Sequence, residues 1–147
     1  WIDFPARTPG THLQDNQIEE LRNQIEQLQE QGVAMSQIIA ISPFRVVANA
    51  LGSLRGRYSG LRGGTIHTAQ GREADVVFLV LGGDPGAPGA KAWASSTVNL
   101  VNVAASRAKR RLYVIGDRAA WAQYPYFADL ASVLASEPLQ AAGKANQ

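Results

Sequence analysis

The sequence contains no cysteine. That excludes a disulfide-stapled scaffold and any thiolate metal site. Histidine is almost as scarce: His12 and His67 are the two copies, far apart in the chain, so a zinc-type cluster is not expected. Long apolar runs are absent as well. Ile38–Ile41 and Val76–Leu81 are the longest, far short of a membrane span. Trp1-Ile-Asp-Phe4 has neither a basic region nor an apolar stretch, so nothing there reads as a signal peptide. No Gly-x-x-x-x-Gly-Lys-Ser/Thr loop occurs, and hence no phosphate cradle of the Walker A kind. Gly-x-Gly-x-x-Gly, Gly-x-Ser-x-Gly and His-Glu-x-x-His are also missing. These gaps argue against a dinucleotide enzyme, a serine hydrolase and a zinc protease. A soluble intracellular (cytoplasmic) domain without a membrane partner is the expectation that remains.

What is present is globular. The 147 residues are 46% hydrophobic and 18% charged, enough for one domain with a core of its own. Net charge is +2, unevenly spread: residues 1–37 carry −4 and residues 38–147 carry +6. The larger part could therefore meet phosphates. The chain opens directly on strand-like residues without an initiator methionine, which suggests a piece of a longer protein. Residues 1–136 read as the domain and residues 137–147 as a frayed tail.

Ile18, Leu21, Ile25 and Leu28 recur at helical spacing, predicting a helix over residues 14–31, capped by Asp15 or Asn16 and stopped by Gly32. Trp1–Phe4, Ile38–Ile41, Thr65–Thr68, Val76–Leu81 and Leu112–Ile115 read as strands. Phe44–Leu54, Val98–Ala108, Arg118–Gln123 and Tyr126–Ala135 read as helices, the last two separated by Pro125. Arg55–Gly64 and Gly82–Gly89 read as loops. Strands alternating with amphipathic helices imply an α/β domain with a parallel sheet covered on both faces. Ligands of such sheets bind beyond the carboxyl ends of the strands. That rule selects Ser42-Pro43-Phe44, Thr65–Glu73 and Gly116-Asp117.

Three segments carry polar residues at those places: Ile41-Ser-Pro-Phe-Arg45; Gly64-Thr-Ile-His-Thr-Ala-Gln-Gly-Arg-Glu-Ala-Asp-Val-Val77; and Asn99-Leu-Val-Asn-Val-Ala-Ala-Ser-Arg-Ala-Lys-Arg-Arg-Leu-Tyr-Val-Ile-Gly-Asp117. In this order they resemble motifs IV, V and VI of superfamily 1 helicases, and most closely the C-terminal RecA-like domain of the DNA2/NAM7-like branch. The second and third segments form a long and specific joint pattern; the first is weak alone. The resemblance covers roughly residues 36–120. It implies a RecA-like fold with a mostly parallel sheet of about five strands. It also implies the second motor domain of an ATP-dependent DNA or RNA helicase, inactive as an ATPase by itself. ATP and Mg2+ would be held mainly by a missing N-terminal RecA-like domain of the same parent chain. A nucleic-acid-binding or remodelling module without strand-separating activity is the alternative.

Residue by residue, the resemblance makes Arg107 the arginine finger, whose planar cation suits the charge on a transferring phosphoryl group. Gln70, Gly71, Arg72 and Glu73 would line the ATP cleft. Ser42, Pro43, Thr65, His67 and Thr68 would approach the backbone of single-stranded DNA or RNA. Asn102 would orient the finger helix. Ser106 replaces a common threonine, and Ala69 a common aromatic. Other readings stay open. Arg107 could be a solvated cation, and Lys109, Arg110 and Arg111 could cap a helix C-terminus. Asp75 fits a structural ion pair with a nearby arginine. Phe44 suits core packing at least as well as base stacking. Arg55, Arg57 and Arg62, with Tyr58 among them, suit a nucleic-acid contact and a solvated loop equally. Trp1, Trp93 and Trp121 read as packing residues.

Overall fold

The computed structural model describes residues 1–69, 72–87, 89–90 and 98–134. Its five strands form one all-parallel sheet in the order β1-β5-β4-β2-β3: β1 (Ile2–Asp3), β2 (Ile38–Ile41), β3 (Arg62–Gly64), β4 (Ala74–Val80) and β5 (Ala108–Gly116). The flanking helices are α1 (Asp15–Glu30), α2 (Arg45–Ser53), α3 (Ile66–Ala69), α4 (Val98–Arg107), α5 (Arg118–Trp121) and α6 (Pro125–Val133). This is the RecA-like α/β architecture expected from the sequence. No helix among the described residues is long and apolar enough to cross a membrane.

β2 and β4 sit inside the sheet, and their side chains are buried almost throughout. Central parallel strands are covered on both faces, so they read as continuous apolar runs rather than alternating ones. Leu21, Ile25 and Leu28 present one buried stripe of α1, and Val47, Ala48 and Leu51 one of α2. α1 begins at Asp15 without a side-chain cap. It ends as expected at Gly32, whose φ of 91° continues the chain in the left-handed region. There Val33 N–H donates to Leu28 O and Gly32 N–H to Gln29 O, the paired bonds of a Schellman motif.

Four local expectations are corrected. Arg62–Gly64 is not loop but the edge strand, paired with β2 in the register Ile39↔Arg62 to Ile41↔Gly64. Thr65–Thr68 is accordingly not a strand: Thr65 leads into the single helical turn α3, which contains the other three residues. Lys109, Arg110 and Arg111 do not cap α4; they lie exposed in β5, which starts at Ala108. A register shift between Ala74 and Val76 absorbs the extra β5 residue that carries them. Pro125 does not merely separate two helices. It opens α6, where its fixed φ suits the first turn.

Gly63 explains why a strand forms in so glycine-rich a stretch. A Cβ built there would lie 2.5 Å from Leu51 O and 2.6 Å from Leu51 C, so α2 rests directly on the β3 backbone. Gly63→Ala must push the two apart, an overpacking cost of about 1–3 kcal/mol. Urea denaturation should show a lower midpoint with an unchanged slope. An unchanged midpoint would mean that α2 and β3 part without penalty.

Candidate functional site

The predicted residues divide between the two ends of the sheet. Ser42 and Pro43 follow β2 and Thr65 follows β3, at the carboxyl end. Ser42 is buried, 1% exposed. Its Oγ accepts from Phe44 N–H at 3.3 Å, and its own N–H donates to Gly64 O at 3.1 Å. That hydroxyl serves the turn into α2. Pro43 is half-buried. Phe44 packs in the core, stacked on His12 with ring centroids 4.0 Å apart and edge-on to Trp121 at 6.1 Å. Thr65 O accepts from Thr68 N–H at 2.9 Å and so opens α3. Both threonines are half-buried, and the backbone of His67 lies in the same turn. Gln70 and Gly71 lie outside the described residues, as do Trp93 and the expected tail.

Part of the expected carboxyl-end crevice is filled by the chain itself. The segment from Pro5 to Leu13 folds over the end of β4, fastened by two buried glutamines of the α1 start. Gln14 Oε1 accepts from Arg7 N–H and Thr8 N–H, each at 2.8 Å; its Nε2 donates to Thr8 O, Thr11 O and Gly83 O. Gln17 bridges Phe4 O and Gly82 N–H. His12 Nδ1 accepts from Asp84 N–H at 2.9 Å. Sequence reading passed over these glutamines because glutamine on a helix usually marks a solvated face.

Arg72 and Glu73 lie elsewhere. They precede β4, at its amino end, whereas the crevice rule grouped them with Thr65. From Ala74 to Leu79, level with Ile41, β4 climbs about 17 Å at ~3.3 Å per residue. Ala74 pairs with Ala108, so Glu73 and Arg107 lead into neighbouring strands side by side. Arg107 is the last residue of α4 and half-buried; its Nε is buried and has no hydrogen-bond partner among the described residues. Leaving such a donor unpaired costs about 1–3 kcal/mol, which an incoming anion would recover. Ala104 beneath it is fully buried, while Ala105 is exposed. Asn102 is exposed and bonds no described residue. Ser106 Oγ donates to Val103 O at 3.2 Å. Asp75 pairs with Arg110 at 3.8 Å, the structural role favoured for it from sequence. Among the described residues, no cluster of three or more His, Cys, Asp or Glu could hold a metal ion.

The basic loop resolves into two parts. Tyr58 is buried, and its hydroxyl donates to the Glu26 carboxylate, which also pairs with Arg57 at 3.6 Å. Beside the Tyr58 hydroxyl and Glu19, the Arg22 guanidinium has its pKa raised further above its ordinary value. Arg55 and Arg62 face the other way. With Gly64, Thr65, Thr68 and Arg72 they line an open groove of ≈ 770 Å³ along the edge strand.

An AAA domain family, AAA_12, matches residues 7–119, a span that includes Ser42, Thr65, Glu73 and Arg107. No curated protein matches the chain. The chain therefore belongs to the AAA_12 family, whose domain is found in the C-terminal part of DNA2/NAM7-like superfamily 1 helicases, and is a helicase-type P-loop NTPase domain.

Proposed function

We propose that this domain is the second motor domain of an ATP-dependent superfamily 1 helicase and supplies the arginine finger for ATP held on a first RecA-like domain. The observation that carries the reading is the placement of Arg107. Arg107, half-buried and with an Nε unpaired among the described residues, leads into β5 just where Glu73 leads into its paired neighbour β4. That edge fits the phosphate end of ATP. Arg107 donates to the γ-phosphate oxygens, and its fixed planar fork places two bonds at once on the oxygens of that anion. Glu73, one strand over, accepts from the ribose hydroxyls. Arg72 stands between this edge and the groove that also holds Thr65 and Thr68, and so adds a cation that both sites can use. Mg2+ would be held by the first domain rather than by residues of this chain, and would supply charge neutralisation at the phosphates of ATP.

Nucleic acid meets the opposite side. Thr65 and Thr68 offer hydroxyls, and His67 an imidazole, to phosphate oxygens, contacts that position a strand without reading its bases. Pro43 shapes the adjacent turn, and Ser42 contributes by holding that turn rather than through its buried hydroxyl. With ATP and nucleic acid at different ends of one sheet, closure of two domains around ATP moves the strand-holding end relative to the partner domain.

The 147-residue chain alone is expected to turn over no ATP above buffer. A parent protein with a first RecA-like domain is expected to hydrolyse ATP, faster with single-stranded DNA or RNA added. Steady-state phosphate release measures both. A parent protein without nucleic-acid-stimulated turnover would sink the motor reading.

A further inference from the structure

We infer that the groove along the edge strand is a second phosphate-backbone site, through which single-stranded nucleic acid continues from Thr65 and Thr68 past Arg62 and Arg55. The inference rests on the nucleic-acid reading of Thr65 and Thr68 and extends it to residues that neither the fold nor the family assigns.

Three features of the groove point to a polyanion. Its lining carries three arginines and no acidic side chain. They come from three separate places: Arg55 from the turn after α2, Arg62 from β3, and Arg72 from the lead into β4. Arg55 and Arg72 are exposed and have no acidic partner among the described residues. Arg62 spends one guanidinium nitrogen on Ser36 O at 3.1 Å, which orients the group without neutralising it. A strip of cations with no carboxylate raises the local potential and attracts phosphates at long range.

The occupant is an extended strand rather than a small phosphate. The groove is open, about 770 Å³, and its lining is more polar than apolar. Thr65 and Thr68 stand in its wall beside Gly64, and the Thr68 hydroxyl packs against the Gly64 backbone. The alternative path over Ser42 and Phe44 offers a buried hydroxyl and a ring already stacked on His12. The edge of β3 is therefore where the threonines and the free cations run together. Arg57 is not part of this path, because Glu26 holds it on the α1 side.

The test is binding of fluorescently labelled oligo-dT and oligo-rU to the 147-residue chain by anisotropy, over a range of salt. Neutralising one phosphate of a single strand contributes about 0.7 to the slope of log affinity against log salt. The double variant Arg55→Gln/Arg62→Gln is expected to lower that slope by about 1.4 and to weaken binding about tenfold near 50 mM salt. Arg55→Gln alone, at an exposed residue with no partner, should give about half the effect on the slope and removes any question of folding. Arg57→Gln should bind as the wild type does. Inorganic tripolyphosphate should compete only at phosphate concentrations far above those of the oligonucleotide. Unchanged affinity and slope in both variants would overturn the groove. If Thr65→Ala/Thr68→Ala then weakened binding, the nucleic-acid reading would survive without it. Equal competition by tripolyphosphate would overturn it in favour of a small-anion site. Absence of any oligonucleotide binding would also overturn it, and ATP turnover by the parent protein would judge the motor reading separately.

Discussion

Arg107→Ala in a parent protein that carries both motor domains is expected to lower nucleic-acid-stimulated ATP turnover by about 10³-fold or more. At 1.36 kcal/mol per decade, that is about 4 kcal/mol of transition-state stabilisation. The loss should fall on kcat. The finger meets charge that grows as the phosphoryl group transfers, while the ground-state affinity for ATP comes from the partner domain. Arg107→Lys should recover only a small part, because an ammonium keeps the charge and loses the planar fork. Nε has no partner among the described residues, so there truncation removes an unpaired donor rather than a bond. Stopped-flow phosphate release with a fluorescent ATP-binding assay separates the two quantities. A variant with wild-type kcat would leave Arg107 as an ordinary cation beside Glu73, and the proposed finger would be lost.

Trp121→Ala should be the most damaging single change to the fold. The indole is fully buried, with Phe127 at 4.7 Å, Phe44 at 6.1 Å and Tyr124 at 6.5 Å between ring centroids. Its Nε1–H also points at Gly82 O, 3.4 Å away. Truncating a buried tryptophan costs about 3–5 kcal/mol through lost transfer energy and the cavity left behind. Whole domains are stable by only about 5–15 kcal/mol. Thermal unfolding should therefore begin on the order of 10 °C lower. Phe44 and His12 rest on the same cluster, so the loop from Pro5 to Leu13 should loosen with it and its amides exchange faster. A loss below about 1 kcal/mol would mean that the neighbouring rings close over the gap, a collapse that so large a vacated volume should not permit.

Much of this was legible in the sequence because its signals are local. Ile38-Ile-Ala-Ile41 could hardly be anything but a buried strand, and the Leu21, Ile25 and Leu28 stripe with Gly32 behind it defined α1 almost to the residue. β3 was not legible. Arg62-Gly-Gly64 has no β-forming side chain, and it becomes a strand through its pairing with β2 and the pressure of α2. The two-ended site was hidden for a related reason. Thr65 and Glu73 are close in sequence, so they read as one cluster. The chain between them crosses from the carboxyl end of β3 to the amino end of β4, and only the sheet order reveals that. The basic loop was divided by Glu26, far upstream on α1, and the buried glutamines took their meaning from a loop folded over them. Partners distant in sequence carry no signature at the residue they change.

The sheet order has a consequence for how the domain is made. β1 is synthesised first, yet its one neighbour is β5, whose pairing residues Ile115 and Gly116 come near the end of the described chain. Trp1 Nε1–H donates to Gly116 O, and Arg118 N–H to Asp3 Oδ1, so the bonds flanking β1 also wait for that late segment. At ~5–20 residues per second, a ribosome leaves Trp1 and Ile2 without their strand for on the order of ten seconds. β2, β3 and β4 can join in the meantime, since each finds a partner within the central part of the chain. The closing pair spans nearly the whole domain, the kind of distant contact that slows folding most. Nascent chains of this domain thus carry β1 without its strand β5 through most of the domain's elongation, and it is during that interval that they most need shielding from one another.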